Sequence, residues 1–440
     1  ARAASLGTLL FLVCFVAPML LVEQYLVKRR GLTLAKLKDE ARAVRAHPGQ
    51  AIGDAVRIVE GEARDAIERG RNLERHIEAM LHRQRPPEAP PVVATPVGPQ
   101  KVKKPLRDML LDLALLAPRD ALAVLDKDPL GVERVTNASE WRCPAERLLS
   151  SSNAPSREAL RRMRENRDGA FLWFDHLSKA GGTSFCEFAR RNLGIKRTPS
   201  YYCMPPDPKV PGPDGRVGRW PGPQLEAYIA RTKHAVVANE WDAFPGPVLE
   251  AGFRDAAVLM TIIRDPLDRL VSTHKFWGIL NNPAKVKPEL VPWLKRKNAA
   301  ARARPMRRDT TNDFLSQVGR DNFATWKFAS YAEPRFDDCK GDRACAKDAL
   351  ATALAVLEKF HVVVPTTWQA WAGPLYAGFG WTRLEEVHVV NIGKVQSSSS
   401  KKDLAPSDYA ALREANVLDE VLWHWARRAF LERLRCPPEL

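Results

Sequence analysis

The sequence predicts an α/β domain on a parallel sheet, preceded by a membrane anchor and a helical stem. From residue 170 onward, short runs rich in β-branched or aromatic residues alternate with helical stretches. An uncharged apolar run lies near the N-terminal end, and a proline-rich stretch at 86–105 separates an Ala/Arg/Glu-rich region from the rest.

Taken in order, residues 5–22 (SLGTLLFLVCFVAPMLLV) carry no charge, and continued to Val27 they reach the length of a bilayer-spanning helix. Residues 1–30 are therefore expected to form a transmembrane signal anchor, with a cleaved signal peptide as the competing reading because the run is short and contains Pro18. Residues 31–85 space apolar positions sparsely among charges, which predicts a helical stem. Residues 86–105 (PPEAPPVVATPVGP within them) cannot be helical, because proline lacks the amide donor, and read as a linker. A transitional helical region follows at 106–165. The α/β domain spans 166–440, with strands expected at 170–175, 235–238, 258–263, 360–364 and 386–390.

Composition narrows the class. With 45% apolar and 27% charged residues the 440-residue chain can bury a core, and wholesale disorder is excluded. A formal charge of +16 calls for an anionic partner without choosing among nucleotide, acidic polysaccharide, membrane or nucleic acid. Lys28, Arg29 and Arg30 after the apolar run, against Arg2 before it, would by themselves place the body in the cytosol; any residues preceding Ala1 would enter that count. The sequon Asn137-Ala138-Ser139 and six cysteines beyond the span (Cys143, Cys186, Cys203, Cys339, Cys345, Cys436) favour the lumen, an oxidising compartment. Cys339 and Cys345 flank a short polar segment that suits a local disulfide. No Cys/His set has zinc-like spacing, so no metal is expected.

Ligands of parallel α/β sheets sit beyond the carboxyl ends of the strands, and two strand ends carry unusual sequences. The first, HLSKAGGTSF at 176–185, joins the strand FLWFD to a helical stretch. Gly181 and Gly182 let the backbone approach an anion, the helix start offers amides, and Lys179, Thr183 and Ser184 add a cation and two hydroxyls. An ordinary Gly-Gly turn with a capped helix has the same residues. The lysine precedes the glycines, opposite to a Walker A loop, so an NTPase is disfavoured. The second, RDPLDRLVS at 264–272, follows the strand VLMTII. Asp265 suits an N-cap and Pro266 the first helical position, which leaves Arg264 at the strand end and Ser272 two turns into the helix. Arg264 has the fork to hold a phosphate; a surface arginine beside a capped helix is the plainer reading.

Together these segments resemble the 5′-phosphosulfate and 3′-phosphate loops of sulfotransferases, and look most like the Golgi heparan sulfate 2-O- and 6-O-sulfotransferases. Lys179 to Phe185 is similar to that family's K-T-G-G-T-[ST]-F-like loop, with Ala180 replacing the first threonine, and Arg264 to Ser272 to its R-D-P-x-x-R-x-x-S segment. Weaker likeness extends to Asn391 with its following polar loop and to Asn416 through Leu422. The resemblance implies a P-loop NTPase-like parallel sheet flanked by helices, the sulfotransferase fold. It also implies a Golgi membrane enzyme, single-pass type II with a lumenal catalytic domain, using 3′-phosphoadenosine 5′-phosphosulfate (PAPS) as donor. Lys179, Ala180, Gly181, Gly182, Thr183 and Ser184 would then hold the 5′-phosphosulfate, with Lys179 also catalytic, and Arg264 and Ser272 the 3′-phosphate.

The catalytic base departs from the family. Where heparan sulfate enzymes have contexts such as H-A-D-W, this chain reads Ala238-Asn239-Glu240-Trp241, with Ala238 at the histidine position. Glu240 is the first candidate, His234 the second, and Asp242 follows. The expected acceptor is an acidic or neutral polysaccharide, with Lys275, Trp277 and the basic stretch 295–308 as a candidate groove and a solvated basic loop as the alternative. A tyrosine acceptor and a catalytically silent nucleotide- or glycan-binding protein stay open. A nucleic-acid partner is not expected, because no recognition helix or RNA-module signature accompanies the charge.

Overall fold

The computed structural model describes residues 105–149, 155–205, 217–249, 253, 255–280, 288–302, 317–330, 339, 341–384, 401 and 404–436. The expected anchor, stem and nearly all of the proline-rich linker lie outside these residues, as do the strand expected at 386–390 and Asn391. No helix among the described residues is long and apolar enough to cross a membrane.

Four parallel strands form the sheet: β1 Phe171–Asp175, β2 Val236–Asn239, β3 Ala257–Ile263 and β4 Val362–Pro365, in the order β2-β1-β3-β4. These match four of the expected strands to within two residues at each end. Every residue of all four is buried, which requires cover on both faces and explains why the strands read as continuous apolar runs.

The helices are, in chain order, α1 Leu106–Leu113, α2 Pro118–Leu125, α3 Arg157–Arg164, α4 Gly182–Leu193, α5 Gly222–Thr232, α6 Pro266–Thr273, α7 Leu290–Arg302, α8 Phe323–Ala329, α9 Arg343–Leu357, α10 Gly373–Ala377, α11 Pro406–Ala415 and α12 Val417–Arg435. Asp265 caps α6 by accepting from the Asp268 amide at 3.0 Å, with Pro266 at the first helical position. The chain steps from β1 outward to β2, then crosses back so that β3 pairs with the other side of β1. That reversal opens a crevice between the carboxyl ends of β1 and β3.

Helix α12 packs on β4 and α8 and is buried nearly all round, the pattern of a core helix. Its polar residues hold the 126–149 region. Arg428 pairs with Glu432 at 2.6 Å and donates to the Leu130 and Glu146 carbonyls, while Glu432 accepts from the Leu148 and Leu149 amides. The Cys143–Cys436 disulfide ties the same region to the end of α12; Cys186–Cys203 and the expected local pair Cys339–Cys345 complete three disulfides.

Directly before β4, His361 accepts from the Leu259 amide through Nδ1 at 3.0 Å and donates through Nε2 to the Ser156 carbonyl at 2.8 Å. Burial holds its pKa down at about 4, against an ordinary 6.5. A depressed pKa contributes stability that is present above pH 6.5 and is lost as pH falls toward 4. The unfolding free-energy difference between wild type and His361→Phe should therefore narrow over that window, by up to about 3 kcal/mol. A difference that stays flat in urea titrations at several pH values would contradict a ring held neutral.

Candidate functional site

The site grows from the carboxyl end of β1, where Asp175 is wholly buried. Its carboxylate pairs with the Lys327 ammonium of α8 at 3.1 Å and accepts from Trp173 Nε1 at 3.1 Å and Asn239 Nδ2 at 3.2 Å. Lys327, 0% exposed, also donates to the Asn239 and Asp242 carbonyls at 3.1 and 2.6 Å, and Thr261 of β3 donates to the Asp175 carbonyl at 2.7 Å. Asn239 further donates to the Asp242 and Ala243 carbonyls, closing the turn after β2. One buried ion pair thus joins the ends of β1 and β2 to α8, and the Thr261 hydroxyl adds β3 through the Asp175 backbone.

The next residue, His176, lies with its ring stacked on Phe174, centroids 5.4 Å apart. Its Nδ1 faces Glu240 Oε2 at 3.5 Å, an electrostatic contact rather than a hydrogen bond. Burial lowers its pKa; Glu240 opposes that, and the Lys327 and Lys179 charges add to it. The far side of the ring occupies the space above Gly182, where a Cβ would sit 1.9 Å from Nε2. Gly182 is therefore demanded by His176 as well as by any anion.

Lys179 has a positive φ of 67°, a strained state for a residue with a side chain, and Gly181 follows at 90°. No side chain caps α4 at Gly181. The Lys179 ammonium lies 3.8 Å from the Phe276 ring, which belongs to the π-helical segment His274–Leu280 continuing α6. Arg264, at the end of β3, donates through Nη1 to the Lys179 carbonyl at 3.0 Å. Burial lowers the Lys179 pKa, Glu240 raises it and the Arg264 charge lowers it again. After β4, Gln369 approaches the same loop: a Cβ on Gly181 would meet its Nε2 at 3.0 Å. Loops from β1, β3 and β4 converge at the crevice, with Glu240 entering from β2.

Most of the expected site residues share this region. Lys179, Ala180, Gly181, Gly182 and Thr183 form the loop and helix start, with Ala180 buried and its amide closing a turn onto the Leu177 carbonyl. Ser184 is buried, and Ser272 is half-buried on the second turn of α6. Arg269, the second arginine of the 264–272 segment, is a packing residue: it is buried, donates to the Val318 carbonyl at 2.9 Å and lies over Phe323. His234 is corrected. It precedes β2, at the amino end of the sheet, buried with Nδ1 2.8 Å from the Tyr228 hydroxyl. Six residues of near-extended chain, roughly 20 Å, separate it from Glu240. Asp242 is buried, 3.2 Å from Arg219 Nε.

His176, Phe276, Lys327 and Gln369 were not singled out from sequence. His176 had a signal in its place directly after a strand; the others reach the site from segments distant in the chain. Likewise Asn416 and Asp419, in the weaker region of likeness, fasten α8: Asp419 accepts from the Ala324 and Thr325 amides, and Asn416 from the Asn322 amide. Among the described residues no three His, Cys, Asp or Glu side chains gather as a metal-binding set. Comparison with protein-family models, with curated proteins and with solved structures finds no match to this chain.

Removing one member of a buried ion pair strands the other charge, so Lys327→Met should lower the unfolding free energy by about 3–5 kcal/mol. A loss below about 1 kcal/mol in denaturant titration would deny the pair its organising role. Gly182→Ala should be destabilising in wild type yet tolerated beside His176→Ala. The double-mutant cycle then shows a coupling of about 1 kcal/mol or more, and additivity would contradict the contact.

Proposed function

We propose that this chain is a PAPS-dependent sulfotransferase of the secretory pathway that transfers a sulfuryl group to a hydroxyl of a glycan. One observation carries the reading: the Arg264 guanidinium rests on the carbonyl of Lys179, so two half-buried cations from separate loops border one crevice beside an uncapped helix start. Like charges brought together out of water are costly without a polyanion to bind. Glycine at 181 and 182 suits the close approach such a ligand needs.

In this reading Lys179 and the start of α4 bind the 5′-phosphosulfate, and Arg264 with Ser272 the 3′-phosphate. The acceptor hydroxyl oxygen forms a bond to sulfur as the bond from sulfur to the phosphate oxygen breaks. The hydroxyl proton goes to Glu240, and adenosine 3′,5′-bisphosphate leaves with the bond electrons. Lys179 stabilises the charge that develops on that oxygen. His176, with Nδ1 3.5 Å from Glu240, is the positioning residue for that carboxylate. Localisation to the Golgi membrane, with the domain in the lumen, is part of the same proposal; the three disulfides suit an oxidising compartment.

A second reading, a silent nucleotide-binding protein, is favoured by Ala238 at the position where the resembled enzymes have histidine.

The test is incubation of the full chain with labelled PAPS and a panel of desulfated glycans and tyrosine peptides. Lys179→Ala should cost on the order of 10²–10³-fold in kcat, and Glu240→Gln should abolish transfer while retaining adenosine 3′,5′-bisphosphate. His176→Ala should lower kcat and move the acid limb of the pH–rate profile without changing nucleotide affinity. Arg264→Ala should weaken binding of PAPS about 10- to 100-fold but barely affect the analogue lacking the 3′-phosphate. Nucleotide binding with no transfer to any acceptor supports the silent protein; no nucleotide binding at all overturns both readings.

A further inference from the structure

The segment from 199 to 204 is held with unusual firmness for a surface turn. Tyr202 and Cys203 both have positive φ, 49° and 60°, two successive strained residues without a glycine. The strain is fixed from several directions. Cys203 is bonded to Cys186 of α4, its carbonyl accepts from the Ala238 amide of β2 at 2.7 Å, and Arg190 donates to the Pro199 and Ser200 carbonyls at 3.4 and 3.0 Å.

What the turn presents is aromatic. Tyr201 and Tyr202 are 45% and 39% exposed, with ring centroids 4.9 Å apart, and Tyr201 lies 6.0 Å from Trp241. Exposure of two large rings on a strained, covalently fastened turn gives the fold nothing, since neither ring fills the core. Trp241 directly follows Glu240, and Met204, Ala238, Glu240 and Trp241 line one small recess. Among the described strands β2 is outermost on this side. The two cationic loops therefore lie on one flank of Glu240 and the rings on the other.

We propose that Tyr201, Tyr202 and Trp241, set edge to face at 71° and 63°, form an acceptor platform in which a pyranose ring of a saccharide stacks on one ring and abuts the edges of the others, with one hydroxyl directed at Glu240. The proposal rests on the sulfotransferase reading and adds to it the place where the saccharide binds and the residues that hold it. A pyranose has apolar C–H faces and a rim of hydroxyls; rings with an apolar body and a polar tip match both. Rigid aromatic side chains also lose little conformational freedom on binding, which suits a preformed site.

The full chain should be tested for binding of unsulfated glycosaminoglycan oligosaccharides without donor, and for transfer to them and to a tyrosine peptide with donor. Tyr201→Ala and Trp241→Ala should each weaken oligosaccharide binding and raise its KM about tenfold. Tyr201→Phe should keep most of the affinity, and binding of adenosine 3′,5′-bisphosphate should be unchanged in all three, which also shows that they fold. Unaltered oligosaccharide affinity in both alanine variants would overturn the platform, as would a wild type that modifies the peptide and neither binds nor modifies saccharide. A chain that loses oligosaccharide binding in these variants but never binds the nucleotide would keep the platform and sink the donor reading, so the two failures are distinct.

Discussion

The buried pair of Asp175 and Lys327 is the constraint on which the site depends. It lies where β1, β2 and β3 end, and its remaining hydrogen-bonding capacity goes to Trp173, Asn239 and the carbonyls of the turn after β2. Burial pushes the Asp175 pKa up, and Lys327 with its two neutral donors pulls it back. Apolar residues of similar volume would fill that space at least as well, but they would not fasten the ends of β1 and β2 to α8. With the ends fixed, His176 and Glu240 meet, and the loop from 177 to 182 has a defined origin.

Charge balance defines the crevice. Lys179 and Arg264 approach each other at partial burial; Glu240 partly balances Lys179, and Asp268 and Asp265 partly balance Arg264 while being shared with Lys401, at 3.4 and 2.6 Å. Two basic side chains thus meet at the topological switch point of the sheet, the place where the proposed reading puts a polyanion. The loop itself is shaped by its neighbours as well as by backbone strain: Lys179 and Gly181 have positive φ, and Gly181 and Gly182 pack under Gln369 and His176.

The outer flank of Glu240 is built on a different principle. Hydrogen bonds and a disulfide, rather than a buried ion pair, hold the Tyr201–Tyr202 turn against β2. A covalent link is suited to a short exposed turn that has little apolar area to bury. Cys143–Cys436 acts in the same manner at the other side of the domain, where a region with few regular elements is fastened to α12.

The four described strands, the cap at Asp265, the pairing of Cys339 with Cys345 and the two cationic loops were legible from local sequence. Apolar runs, capping residues and glycine pairs act over a few positions, so their consequences are written where they occur. His234 and His176 mark the boundary of that legibility. Both are histidines flanking buried strands. In a parallel sheet His234, before β2, falls at the amino end and His176, after β1, at the crevice, so their ends follow from chain order, whereas the approach of His176 to Glu240 comes only from the pairing of β1 with β2. Lys327, Phe276 and Gln369 reach the site from segments 90 or more residues from Lys179 along the chain. Their roles arise because burial and charge are set by neighbours in space, which tertiary packing alone decides.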